Sequence, residues 1–269
     1  MKDKIFNHIF RTYDIRGIVG PEIDDSLSFL IGRAFGSYLK RHGKNNIGIS
    51  GDVRPSTKSL LEKLQEGLLS TGTDVVNIGV LPTPLNYYAN HDSDLTIDAS
   101  IQITGSHNPS DYNGFKITLD KKPFFGEDIQ LLYNMIINDE FIEGEGNLSH
   151  YDIKSNYIEM VQSKININRR LRVAIDCGNA AGCIVAPELY KLFDIELFEL
   201  YCDVDGTFPN HHPDPTVDSN LLDLQNFTIK NKCDLGIAFD GDADRIVAID
   251  QDGGIIRSDI LMSLFLPTL

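Results

Sequence analysis

The sequence predicts an α/β protein, and three observations carry that reading. Short β-rich runs alternate with segments of helical period, as βαβ units require. The alternation runs twice, on either side of a polar stretch. The length, 269 residues, suits one or two domains.

The first series opens with IGIS (47–50), a short β-rich run. Leu60, Leu61, Leu64, Leu68 and Leu69 then recur at helical spacing, with Ser56 as the expected N-cap and Gly72 closing the helix. DVVNIGV (74–80) reads as the next strand, and Leu81-Pro82-Thr83-Pro84 breaks it before another helix. IDASIQI (97–103) is a third strand and leads directly into TGSHNPSDYNGFKI (104–117). GEGNLSH (144–150), polar with two glycines, is the expected linker. A helix follows around 151–163, then a second series: LRVAIDC (171–177) as strand, a tight loop at 178–182, VAPELYKLF (185–193) as helix and IELFELY (195–201) as strand. CDLGIAFD (233–240) is a further strand, and RIVAIDQDGGII (245–256) folds as a hairpin about Asp252-Gly253. SDILMSLFL (258–266) begins an amphipathic helix with Ser258 or Asp259 as its cap.

Composition excludes several function classes. Lys and Arg total 24 against 39 Asp and Glu, a net charge of −15, so no nucleic-acid surface is expected. A local basic cluster can still hold a small anionic substrate. No apolar run approaches membrane-spanning length and MKDKIFNHIF lacks a signal-peptide core, so no membrane role and a cytoplasmic location are expected. Cys177, Cys183, Cys202 and Cys233, at gaps of 6, 19 and 31, match no zinc or redox spacing and read as reduced, mostly buried thiols. The sequons at Asn147 and Asn226 read as chance matches.

Two stretches carry chemistry. DGDADR (240–245) follows a buried-type strand, and the carboxyl ends of such strands are where α/β folds place sites. Asp240, Asp242 and Asp244 alternate, so a curled loop turns three carboxylates toward one cation. Without a cation or an Arg the three repel one another. Oxygen-only ligands favour Mg²⁺ or Ca²⁺ over zinc. The EF-hand alternative fails, because Arg245 and Gln251 occupy the positions that need Gly and Glu. The other reading is a solvated acidic turn.

In TGSHNPSDYNGFKI, Ser106 is open to three readings: nucleophile, phosphate carrier or turn serine. The nucleophile-elbow pattern is absent, and adjacent Ser and His side chains point apart. The position after a strand and the density of Gly, Asn and Pro allow backbone N–H groups to surround an anion. A phosphorylated Ser106 would offer oxygen to a cation held by the three aspartates, with Lys116 stabilising the phosphoryl group.

Four motifs in order, FRTYDIRG (10–17), TGSHNPSDYNGFKI, DGTFPNHHPDP (205–215) and DGDADR, resemble the α-D-phosphohexomutase family, and most closely its bacterial phosphomannomutase/phosphoglucomutase branch. The resemblance covers nearly the whole chain. It implies two consecutive three-layer α/β domains with mixed sheets: domain I at 1–149, domain II at 150–256, and residues 257–269 as the start of a third domain, before which the chain is truncated. It implies interconversion of hexose 1- and 6-phosphates, of mannose or glucose, through a phosphoserine and a hexose 1,6-bisphosphate. Ser106 then carries the phosphate and, with Asp240, Asp242 and Asp244, holds Mg²⁺. Arg245 and Lys116 flank the phosphoryl group, Tyr13 and Arg16 approach it from the first motif, and His107 handles a proton or a hydrogen bond. The expected protein is a monomer, or associates through the face left by absent domains.

Other motif residues read as structural: Phe10 and Phe115 as core, His211 and His212 as non-ligands, residues 178–182 as a packing turn. Arg54 reads either as a phosphate contact or as a surface pair. Three departures from the family stand. No sugar-recognition loop of the G-E-x-S-G type is present, Ala243 stands where glycine is common, and SGDVR (50–54) lacks an arginine before the aspartate. The first sets a second expectation, an incomplete Mg²⁺- and phosphate-binding fragment, beside the mutase one; a third is a phosphatase with an open cleft.

Overall fold

The computed structural model describes residues 5–265. Residues 1–4, within the opening decapeptide, and 266–269, which include the end of the expected last helix, lie outside the described residues. The chain divides into two compact units. The first holds residues up to Gly105 and Pro109–Asn156; the second holds Ser106–Asn108 and Tyr157 onward.

The first unit is built on a seven-stranded mixed sheet: β1 (Ile15–Ile18), β2 (Asn46–Gly51), β3 (Asp74–Val80), β4 (Ala99–Ile103), β5 (Tyr112–Leu119), β6 (Lys122–Pro123) and β7 (Leu148–His150). Its order is β1-β5-β4-β2-β3-β7, with β6 paired to β5. β2 is parallel to β3 and β4, and β5 is antiparallel to β1 and β4.

Register sorts the two faces of this sheet. Ile47, Ile49, Ala99, Ile101 and Ile103 point to one face, where α1 (Asp25–Arg41), α2 (Thr57–Leu69) and α4 (Glu127–Ile137) complete a single core that also contains Phe10 and Phe115. Ser50, Gln102 and Ser100 point to the other, toward α3 (Thr83–Ala89). There Asn86 donates to Ser50 Oγ at 2.7 Å, Asn90 donates to Ser100 Oγ at 2.8 Å, and Ser50 Oγ donates to Gln102. The buried polar groups on this face partner one another, as low-dielectric surroundings demand.

Helix α1 adds an element outside the alternation read from sequence. Asp24 caps it, its side chain accepting from Leu27 N at 2.8 Å. It meets α2 through two glycines: a Cβ at Gly32 would lie 2.4 Å from Leu64 O, and one at Gly67 would lie 2.2 Å from Phe29 O. The two helix backbones therefore touch with no side chain between them.

Two local expectations are corrected. Ser56 precedes α2 but makes no side-chain cap; its Oγ accepts from Asn113 Nδ2 at 2.9 Å, while Thr57 Oγ1 donates to Asp52 at 2.7 Å. The stretch 144–150 is no free linker. Leu148–His150 pairs with β3, Gly144 N donates to Ser70 O at 2.9 Å, and a Cβ at Gly146 would fall 1.9 Å from Thr73 O. Its glycines serve close approach rather than flexibility.

The chain passes from the first unit to the second within α5 (Ile153–Lys164). The second unit has a five-stranded sheet of β8 (Leu171–Asp176), β9 (Ile195–Leu200), β10 (Leu235–Phe239), β11 (Ile246–Asp250) and β12 (Ile255–Ile256), in the order β12-β11-β10-β8-β9. β8 is parallel to β9 and β10, while β10–β11 and β11–β12 are antiparallel, the latter being the expected hairpin. Ala174, Leu200, Ala238 and Val247 pack on the face toward Leu224 of α7 (Leu222–Lys230). Val173, Ile175 and Ile237 pack on the face toward Ala186 of α6 (Ala186–Lys191). Burial of both faces explains the nearly continuous apolar runs of β8 and β10. Cys177 and Cys233 are buried, Cys183 and Cys202 half-buried, and all four are free thiols. Helix α8 (Ser258–Phe265) starts at Ser258, so neither expected residue precedes it; Ser258 Oγ donates to Ile246 O at 2.8 Å. Ile260, Met262, Leu264 and Phe265 on α8 are exposed. No helix among the described residues is long and apolar enough to cross a membrane.

Candidate active site

β10 ends at Phe239, and the loop 240–245 curls back before β11 begins. Asp240 Oδ1 accepts from the backbone N–H groups of Asp244 and Arg245, each at 3.1 Å. These bonds close the loop and gather its carboxylates: one oxygen each from Asp240, Asp242 and Asp244 lies within 4.8 Å of the others. Asp240 and Asp242 are fully buried, and Asp244 is exposed. Ala243, inside this loop, has φ 55°, the left-handed region that costs a side-chain-bearing residue about 1–2 kcal/mol. A glycine there would carry no such cost.

Ser106 belongs to the same unit. It is fully buried at φ 50°, and its hydroxyl donates to Asp240 Oδ2 at 3.1 Å. Its carbonyl presses on Gly241, where a Cβ would stand 2.2 Å away. The glycine between Asp240 and Asp242 is thus required by the serine. His107 Nδ1 lies 3.3 Å from Ser106 Oγ and 2.9 Å from Arg245 NH1. A guanidinium only donates, so Nδ1 accepts and the His107 proton sits on Nε2. Ser106, His107, Asp240, Asp242, Asp244 and Arg245 are therefore brought together within one unit.

Tyr13, Arg16 and Lys116 lie in the first unit. Arg16, on β1, is buried; its NH1 donates to Gly105 O at 3.2 Å and its NH2 lies 2.5 Å from Asp14. Arg16 pairs with Gly114 and Lys116 sits two residues further along β5, so both side chains leave the same face of the sheet. Tyr13 is 77% exposed and stacks beside Phe125 with ring centroids 6.3 Å apart.

Sequence reasoning missed Asp52 and left Arg54 undecided, and the structure makes them a buried ion pair of the first unit. Arg54 Nε lies 3.2 Å from Asp52 Oδ2, with both side chains almost wholly buried. Asp52 Oδ2 accepts from Thr104 Oγ1 at 2.8 Å and Gly105 N at 3.2 Å, while Arg54 NH1 donates to the carbonyls of Pro109 and Tyr112. The pair thus ties down the residues on both sides of Ser106–Asn108. A Cβ at Gly105 would lie 2.3 Å from Arg54 Cζ, so the guanidinium lies flat on that backbone. The signal was SGDVRP itself, a charged pair directly at a strand's carboxyl end.

The donor set suits a hard divalent cation: three carboxylates, no nitrogen or sulfur, two of them buried. At Mg–O distances near ~2.1 Å, octahedral oxygens stand roughly 3–4 Å apart, within the spread observed.

A family model described as phosphoglucomutase/phosphomannomutase, alpha/beta/alpha domain I, matches residues 7–143, and the domain II model matches residues 155–254. A phosphoglucomutase of Neisseria meningitidis serogroup A is 41% identical over 263 residues, covering 97% of this chain and 57% of that protein. A phosphomannomutase/phosphoglucomutase of Pseudomonas aeruginosa is 39% identical over 257 residues, covering 96% and 55%. The crystal structure of a phosphoglucomutase/phosphomannomutase family protein from Burkholderia thailandensis superposes with a TM-score of 0.94 at 40% identity, over 97% of this chain and 58% of that one. The chain spans a little over half the length of these relatives.

Proposed function

Because the chain belongs to the phosphoglucomutase/phosphomannomutase family, we propose that it carries the phosphoryl-transfer half of a phosphohexomutase site. In this reading Ser106 bears the phosphate, and Asp240, Asp242 and Asp244 hold Mg²⁺. The substrates are glucose or mannose 1- and 6-phosphates, interconverted through a hexose 1,6-bisphosphate. The observation that carries it is Ser106 Oγ at 3.1 Å from Asp240 Oδ2, in a loop gathering three carboxylates.

When bound, the cation neutralises phosphoryl charge beside the carboxylates. The protein's own groups do the rest. The Ser106 hydroxyl, buried and fixed by Asp240, is held in one orientation for transfer. Arg245 supplies a permanent positive charge next to His107. His107 Nδ1, accepting from Arg245, holds that guanidinium next to Ser106 Oγ as a hydrogen-bonding neighbour of the transferring group. Arg16 and Lys116, on one face of the first unit's sheet, contribute the further cations that a dianionic phosphoserine requires. Ser106, His107, Arg245, Lys116, Arg16 and Tyr13 are the residues assigned to phosphoryl transfer and substrate binding.

Intact-mass measurement after incubation with glucose 1,6-bisphosphate and Mg²⁺ tests the proposal. One added phosphoryl group, absent in Ser106→Ala, is expected; unmodified protein alone refutes it. A coupled glucose 1-phosphate assay reads whether loading proceeds to turnover.

A further inference from the structure

The loop 205–215 presents two adjacent histidines whose role the proposed chemistry leaves open. In the second unit, His211 Nε2 lies 2.9 Å from Asp176 Oδ2 and 3.1 Å from Oδ1, at the end of β8. His211 Nδ1 lies 3.0 Å from the His212 carbonyl. Both partners are acceptors, so both ring nitrogens carry hydrogen and His211 is an imidazolium. Asp176 is 1% exposed and also accepts from Gly178 N at 2.9 Å. His212 Nε2 then donates to the His107 carbonyl at 2.6 Å. Gly178, at φ 52°, lets this turn close on the loop: a Cβ there would stand 2.9 Å from Pro213 Cβ and 3.5 Å from His211 Cε1.

We infer that Asp176, His211 and His212 are positioning residues. The Asp176–His211 ion pair pins the histidine loop, and His212 in turn holds the His107 carbonyl, fixing the Ser106–His107 backbone for phosphoryl transfer. The inference rests on the proposed role of Ser106. It explains how a buried serine at φ 50° is held in a conformation that side chains rarely adopt.

The groups facing His211 are few. Asp176 comes from β8, Tyr201 stands edge-on after β9 with centroids 5.3 Å apart, and Asp223 of α7 accepts from the Tyr201 hydroxyl at 2.7 Å. Burial works against the His211 charge, but the hydrogen bond and charge of Asp176, the His212 carbonyl and Asp223 outweigh it and raise the pKa. The Asp223 hydrogen bond, with burial, pushes Tyr201 up to about 12, so it stays neutral near physiological pH. A raised cationic pKa gives stabilisation that is complete below the unfolded value of about 6.5 and is lost as pH rises through the folded pKa.

The test follows Ser106 loading from glucose 1,6-bisphosphate by intact mass between about pH 6 and pH 9, with imidazole ¹⁵N shifts on the same samples. Expected in the wild type is an alkaline fall in loading that tracks loss of the His211 proton. His211→Gln should load about tenfold to a hundredfold more slowly at neutral pH and lack that alkaline limb. Asp176→Asn should move the limb to lower pH. A melting scan shows whether each variant is folded; if His211→Gln is not, Asp176→Asn and the wild-type profile decide. The inference is overturned if His211 is singly protonated at neutral pH, or if loading ignores its titration. Failure of the wild type to load at any pH refutes the Ser106 reading instead, and the ¹⁵N shifts then still decide the charge state of His211.

Discussion

Arg54→Met tests how the stems of the serine loop are held. Arg54 is 2% exposed and faces Asp52, and its NH1 also serves the Pro109 and Tyr112 carbonyls. Methionine fills similar volume but leaves the Asp52 carboxylate buried without its cation. Breaking a buried pair from one side costs about 3–5 kcal/mol, since the remaining charge keeps its desolvation penalty. At roughly 2–4 °C per kcal/mol for a unit of this size, the first-unit melting transition should fall by roughly 6–20 °C. Asp52 retains its Thr57, Thr104 and Gly105 donors, which places the expectation toward the lower end. The double variant Asp52→Asn/Arg54→Met removes both charges and should recover about 1 kcal/mol or more relative to Arg54→Met. Differential scanning calorimetry reads the transitions, and phosphoryl loading of Ser106 should fall with them. A loss below about 1 kcal/mol in Arg54→Met would make the pair equivalent to a surface ion pair and refute the clamp. So would a double variant as unstable as the sum of its parts.

Ala243→Gly should stabilise the second unit by about 0.5–1 kcal/mol, the left-handed cost relieved less the entropy glycine adds to the unfolded chain; a lower melting temperature in the calorimeter contradicts it. Gly241→Ala should abolish Ser106 loading, because its methyl would enter the space of the Ser106 carbonyl, 2.2 Å away; loading near the wild-type rate would show that the loop can move. Mg²⁺ at a hundred times its dissociation constant should stabilise the protein by about 2.7 kcal/mol, reversibly with EDTA, and Asp242→Asn should lose that response. An unchanged melting temperature with and without Mg²⁺ argues against the three-aspartate site.

The legible parts of this fold were those whose signal is local. β3 runs over residues 74–80 as its β-branched run and flanking Gly72 indicate. The loop 240–245 announced itself by charge alternation after an apolar strand. Helix α1 was opaque because Ser28, Gly32, Gly36 and Ser37 lie on its buried face. Small residues read as loop formers in a sequence, whereas here they allow backbone contact with α2. The cap expected of Ser56 failed for a related reason: its Oγ accepts instead from Asn113 Nδ2, which also donates to Thr57 Oγ1 and comes from a strand 57 residues away. Arg54 and Asp52 look like any charged turn until burial is known, and burial is a property of packing. The same holds for His211 and His212, whose partners Asp176 and His107 lie 35 and 105 residues off in sequence.

The bare contact between α1 and α2 bears on how a mutational scan of this protein would read. Gly32 and Gly67 are not among the residues proposed to handle phosphate, yet no side chain fits at either. Each substitution there would part the helices, and α2 starts with Thr57, which is bonded to Asp52. Loss-of-function scores at 32 and 67 would then rank with those at Ser106. Activity data alone would draw a map of the site that includes two residues touching no substrate, and only stability measured beside activity would tell scaffold from chemistry.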